Sequence, residues 1–90
     1  MIQFSWQLRS SRVIPDAELS IEVHELKEYA KGGPPALSMR TAVAIDQGLH
    51  WRQQEMGMER LGRGIYVVGV RYHLPGDQPT LVRMGRVELR

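Results

Sequence analysis

The chain has 90 residues, 42% of them hydrophobic and 24% charged, with a formal net charge of +2. This is the size of one small soluble domain, in which folding buries roughly 60–65% of the surface that the unfolded chain exposes. The absence of cysteine excludes disulfides, thiolate nucleophiles, iron–sulfur ligation and any Cys-based zinc site.

No segment approaches the roughly 18 consecutive apolar residues of a membrane helix. Residues 1–12 lack the basic-then-apolar layout of a signal peptide. The expected location is the cytoplasm, with no membrane partner. Residues 1–45 carry five basic and five acidic side chains, whereas residues 46–90 hold seven arginines against five acids. Ten of the twelve basic residues are arginine, a type suited to planar contacts with carboxylates and phosphates.

Ile2–Arg9 opens the chain with strict alternation. Ile2, Phe4, Trp6 and Leu8 fall on one face and Gln3, Ser5, Gln7 and Arg9 on the other, which predicts a half-buried strand. Ser10–Ser11 and Ile14–Pro15–Asp16 mark a turn or crossing. Residues 17–31 fit two patterns. Leu19, Val23, Leu26 and Ala30 make a helical face, while Leu19, Ile21 and Val23 alternate as a strand. A strand over 18–24 followed by a short helical turn over 25–31 is the retained reading. Gly32–Gly33–Pro34–Pro35 is the strongest breaker in the chain.

Leu37–Asp46 alternates again, with β-branched Thr41, Val43 and Ile45, and Asp46–Gln47–Gly48 is a turn. Leu49–Leu61 is ambiguous. Trp51, Glu55, Met58 and Leu61 lie at helical spacing among good helix formers, but Gly57 interrupts them. Ile65–Leu74 and Leu81–Leu89 form a hairpin across Pro75–Pro79. If Leu74 faces Thr80, Gly69 stands opposite Gly85 and Arg71 opposite Arg83. A one-residue bulge removes both coincidences.

These elements predict a mainly β fold over residues 1–90, a small antiparallel β-sandwich or a partly open barrel. The alternative is an α+β fold with helices over 17–31 and 49–61 on an antiparallel sheet. The Gly64–Ile65–Tyr66 lead-in to a long strand resembles the penultimate strand of immunoglobulin-like sandwiches, without their Cys–Trp–Cys frame.

Catalytic and metal patterns are sparse. His24, His50 and His73 sit in different elements with no HExxH spacing. Met56–Gly57–Met58 as soft copper ligands competes with methionines that fill a core edge. Ser5, Ser10, Ser11, Ser20 and Ser38 lack a GxSxG context. No cofactor is implied. The leading expectation is a non-catalytic protein-interaction or assembly module, a small structural or accessory subunit or a homo-oligomer. Phe4, Trp6, Trp51, Met56 and Met58 are its interface residues, because Trp, Met and Arg are enriched at buried interfaces. The alternative is a nucleic-acid-binding module using Arg63, Arg71, Arg83 and Arg86 with Tyr72 as a stacking platform.

Overall fold

A computed structural model describes residues 2–76 and 80–90. Within them the order is β1 (Ile2–Ser10), β2 (Ile14–Glu25), α1 (Leu26–Ala30), β3 (Leu37–Ile45), β4 (Gly48–Met56), β5 (Gly64–His73) and β6 (Thr80–Leu89). β1 pairs with β4 in a two-stranded sheet, and β3, β2, β5 and β6 lie in that order in a four-stranded one. All four strand pairings are antiparallel. The mainly β expectation holds: the two sheets form a sandwich that is not closed into a barrel.

The α+β alternative fails at both ambiguous blocks. β2 runs through 14–25 and leaves α1 only five residues. The shift of register between Ile14 and Ala17 accommodates Pro15, which has no N–H to give to a ladder. α1 then stops in a Schellman motif. Gly32, at φ 74°, bonds to the Tyr29 carbonyl, and Gly33 bonds to the Glu28 carbonyl at 2.8 Å. In the second block the helix formers of 48–56 become β4, because β1 requires a partner along its whole length and tertiary pairing overrides intrinsic propensity.

The core lies between the sheets. Ala17, Leu19, Ile21 and Val23 of β2 face it beside Tyr66, Val68, Val70 and Tyr72 of β5, and all eight are buried. From the opposite sheet Phe4, Trp6 and Leu8 project onto them, with Trp6 fully enclosed and the other two half-buried. One hydrogen bond ties the sheets together: the indole Nε1–H of Trp6 donates to the Tyr72 hydroxyl at 2.9 Å. The connection after β4 returns inward, burying Met58, and Leu61 N–H bonds to the Met58 carbonyl.

At the start of β5 the Tyr66 hydroxyl donates to the Gly62 carbonyl at 2.9 Å, four residues upstream. This is the geometry of a tyrosine corner. β1 and β4 lie opposite the larger sheet, in which β2 and β5 are the interior strands.

The predicted C-terminal register needs correction. Tyr72, not Leu74, faces Thr80, and an irregularity lies between Val70 and Arg71. Gly69 therefore pairs with Met84, Gly85 with Val68, Arg71 with Leu81 and Arg83 with Val70. Neither the glycine pair nor the arginine pair forms. Part of the predicted turn at Pro75–Pro79 lies outside the described residues.

Replacing Tyr72 with Phe strands the Trp6 N–H in the core, so unfolding in urea should show a loss of about 1–3 kcal/mol. A change below about 0.5 kcal/mol would mean that this bond does not clamp the sheets.

Candidate interaction surfaces

The register of β1 with β4 decides what the smaller sheet shows to solvent. Trp6 pairs with Arg52 and Leu8 with His50, so Arg52, His50 and Gln54 share the inner side with β1's apolar residues. Gln7 pairs with Trp51 and Arg9 with Leu49, which turns Trp51 and Leu49 outward. Their exposures are 69% and 49%. A slip of one residue would reverse every side chain of β4. It would place Leu49 and Trp51 inside and His50, Arg52 and Gln54 outside, at the expense of Met56. Burial alone favours that slipped arrangement, yet the strand displays its largest apolar side chain on the outer surface.

The other expected interface residues are less exposed. Phe4 is half-buried against the core. Trp6, Met56 and Met58 are buried within it, so three of the five expected contact residues hold the sandwich together instead. The alternation of β1 pointed to the inside of the fold, and the inward turn after β4 takes Met58 with it.

The nucleic-acid set is not brought together. Tyr72 is enclosed and bonded to Trp6, so it offers no stacking face. Arg83 pairs with inward Val70 and Arg86 with Val67, which puts the two arginines on opposite sides of β6. Arg63 lies in the loop before β5. Arg71 Nη1 is 3.2 Å from Glu22 Oε1, a half-buried ion pair.

That ion pair explains Gly69. Gly69 lies directly across from Glu22, and a Cβ there would come within 3.3 Å of Arg71 Nη1. The bare position lets the guanidinium lie flat on the sheet and reach the carboxylate. Beside it runs a polar seam that sequence patterning missed. Arg40 Nε contacts Glu18 Oε1 at 2.7 Å, and Ser20 Oγ lies 3.1 Å from His73 Nε2. Ser20, Glu22, Ser38, Met39, Arg40 and His73 line a hollow of about 290 Å³. The Ser20–His73 contact depends on β2–β5 pairing across some fifty positions of sequence, as His73 with Glu18 shows, and the Arg40–Glu18 contact on β2–β3 pairing. Only the register reveals them. Glu18, the carboxylate directly opposite His73, is held by Arg40, so the serine–histidine pair gains no acidic orienting partner.

Over the same outer face α1 contacts β2 and β5. The His24 ring meets Tyr29 edge-on at 5.4 Å, and the Tyr29 hydroxyl reaches Met84 Sδ at 3.9 Å. His24 Nδ1 is buried without a hydrogen-bond partner among the described residues. Among those residues no three His, Asp or Glu side chains group as metal ligands, and no helix is long and apolar enough to cross a membrane.

Comparison with known protein families, curated proteins and solved structures returns no match for this chain.

The two tryptophans, one 3% and one 69% exposed, should separate in solution. Acrylamide should quench the Trp51 emission efficiently and leave Trp6 largely protected. Trp51→Phe should remove the quenchable component while changing stability by no more than about 0.5 kcal/mol. A large destabilisation would place Trp51 in the core and refute the register.

Proposed function

We propose that the chain is a protein-interaction module whose contact surface is the outer face of the β1–β4 sheet, centred on Trp51 and Leu49. The observation that carries this reading is the inverted facing of β4, with polar His50, Arg52 and Gln54 inward and Trp51 and Leu49 outward. Scattered apolar residues on a surface need no explanation. A tryptophan and a leucine two residues apart on one strand face, displayed at the expense of half-burying three polar side chains, are better explained by a partner surface.

The surroundings suit such an anchor. Gln7, Gln53 and Ser5 flank Trp51 on the same face, with Arg9 and Glu55 toward its ends. An apolar centre ringed by polar side chains is how interface hot spots are arranged, and truncating a central tryptophan in such a site costs roughly 2–4 kcal/mol of binding. The arginines of β6 give less support to nucleic-acid binding, since they point to opposite sides and their expected stacking residue is enclosed.

The test compares the full chain with a Leu49→Ser/Trp51→Ser variant, each purified under native conditions and sized by light scattering. A stoichiometric complex, with itself or a second protein, should form with the parent chain and be lost from the folded variant. A complex that persists unchanged in the variant, or monomers in both preparations, would overturn the proposal. Co-purifying nucleic acid with salt-sensitive binding would favour the alternative class.

A further inference from the structure

The register that turns Trp51 outward also carries His50 and Arg52 to the inner side of β4, where both are half-buried opposite Leu8 and Trp6. There they meet the end of β3. Leu8, Ile45, Asp46, His50, Arg52 and Tyr72 line one hollow of about 170 Å³. Its polar groups arrive from separate strands and are held in place. His50 Nε2–H donates to the Asp46 carbonyl at 2.8 Å, which braces the β3–β4 turn and leaves the imidazole Nδ1 uncommitted. Tyr72 is 2% exposed, and its hydroxyl accepts the indole proton of Trp6.

The charges of this hollow are not answered within the fold. Ion pairs engage Arg40, Arg71 and Arg90, but among the described residues Arg52 has no carboxylate within ion-pair distance and Asp46 has no cation. Although both line the same space, they do not pair with each other. The contrast with Arg71 is direct. Of the two half-buried arginines, Arg71 is met by Glu22 and Arg52 by nothing among the described residues. Tyr72 repeats the pattern on a smaller scale. Its oxygen is satisfied by Trp6, while among the described residues its own proton has no acceptor. Holding a charge or a polar proton away from water without a partner is unfavourable.

We infer that the hollow between β3 and β4 binds a free α-amino acid with a small apolar side chain. The planar guanidinium of Arg52 suits the carboxylate, and the Tyr72 proton supplies a further donor. The ammonium group goes to the Asp46 carboxylate and His50 Nδ1, and the side chain lies against Leu8 and Ile45. A simple carboxylic acid would set its charge against Asp46, and a simple amine would set its charge against Arg52. A zwitterion satisfies both. Size agrees, since about 170 Å³ is below the roughly 300–1,000 Å³ of pockets for drug-sized ligands.

The inference shares the register of β4 with the protein-interaction reading but does not rest on it. Its probes are L-alanine, propionate, which is alanine without the ammonium group, and ethylamine, which is alanine without the carboxylate. Titration of the full chain followed by NMR should shift the amides of Ile45, Asp46, His50 and Arg52 saturably with alanine. Propionate and ethylamine should each bind at least about tenfold more weakly, because each leaves one charge of the site unpaired. Arg52→Leu should erase the preference for alanine over ethylamine and unfold at or above the parental temperature, since it removes an unpaired charge. Asp46→Asn, at an exposed turn position, should erase the preference for alanine over propionate.

Any of four results would overturn the inference: no saturable response to alanine, equal binding of alanine and propionate by the parent chain, alanine binding unchanged in Arg52→Leu, or shifts confined to the Ser20–His73 hollow. Failure of alanine to bind while the Trp51-dependent complex persists removes only the amino-acid site. Loss of that complex with alanine binding intact removes only the partner surface.

Discussion

A two-stranded sheet has to cover a four-stranded one, and most of the structure follows from how that deficit is distributed. The centre is fully served. β2 and β5 lie side by side under Trp6, and their inward residues Leu19, Ile21, Val23, Val68 and Val70 are the most deeply enclosed in the chain. The Trp6–Tyr72 hydrogen bond fixes the smaller sheet over this pair and satisfies both polar atoms where water is excluded. After β4, the loop buries Met58 and packs Leu61 against the core. Its geometry is held by Tyr66 bonding to Gly62. What is left over is the flank of β6.

Much of this was legible from residue order. The alternation of β1, the breaker at Gly32–Pro35 and the two-faced apolar character of 65–70 are local signals, and local signals survive folding. β5 carries apolar residues on both faces because it is an interior strand whose outer side also contacts α1. The failures share a cause. Gly69 meets Met84 and not Gly85 because the ladder begins at Tyr72 with Thr80, two residues from the predicted Leu74, and the bulged residue recovers only one of the two; periodicity is blind to a shift that leaves each strand's own pattern intact. β4 is the clearer case. Its sequence leaves helix and strand both open over 49–61, and which of its two faces turns inward is a property of the pairing with β1. Apolar residues are ordinarily assigned to the core, and Trp51 and Leu49 are not there. Conversely, Trp6, Met56 and Met58 have an interface-like composition but are structural, and only burial separates the two uses of the same residue types.

The outer face of the larger sheet shows how charge is handled in a β fold of this size. Glu18, Glu22, Arg40 and Arg71 form two cross-strand ion pairs, each partly solvated and each worth no more than about 1 kcal/mol. Their role is geometric as much as energetic. Arg71 lies over Gly69, and Ser20 and His73 satisfy each other where Ser20 is buried. Arg71 is thereby engaged with Glu22 on the outer face of the larger sheet. The surfaces left without internal partners are the Trp51 face and the open flank between β1 and β6. The first lies on the smaller sheet, and the second lies between that sheet's β1 and the larger sheet's β6.

The most direct measurement of this account is residue-resolved amide hydrogen exchange on the unliganded chain. Successive amides of a strand point to opposite edges, so a strand paired on one side should alternate between slow and fast exchange, while one paired on both should be slow throughout. The structure predicts alternation along β1 and uniform protection across β2 and β5. Uniformly slow exchange along β1 would show that its second edge is already paired, and the deficit of strands on which the account depends would not exist.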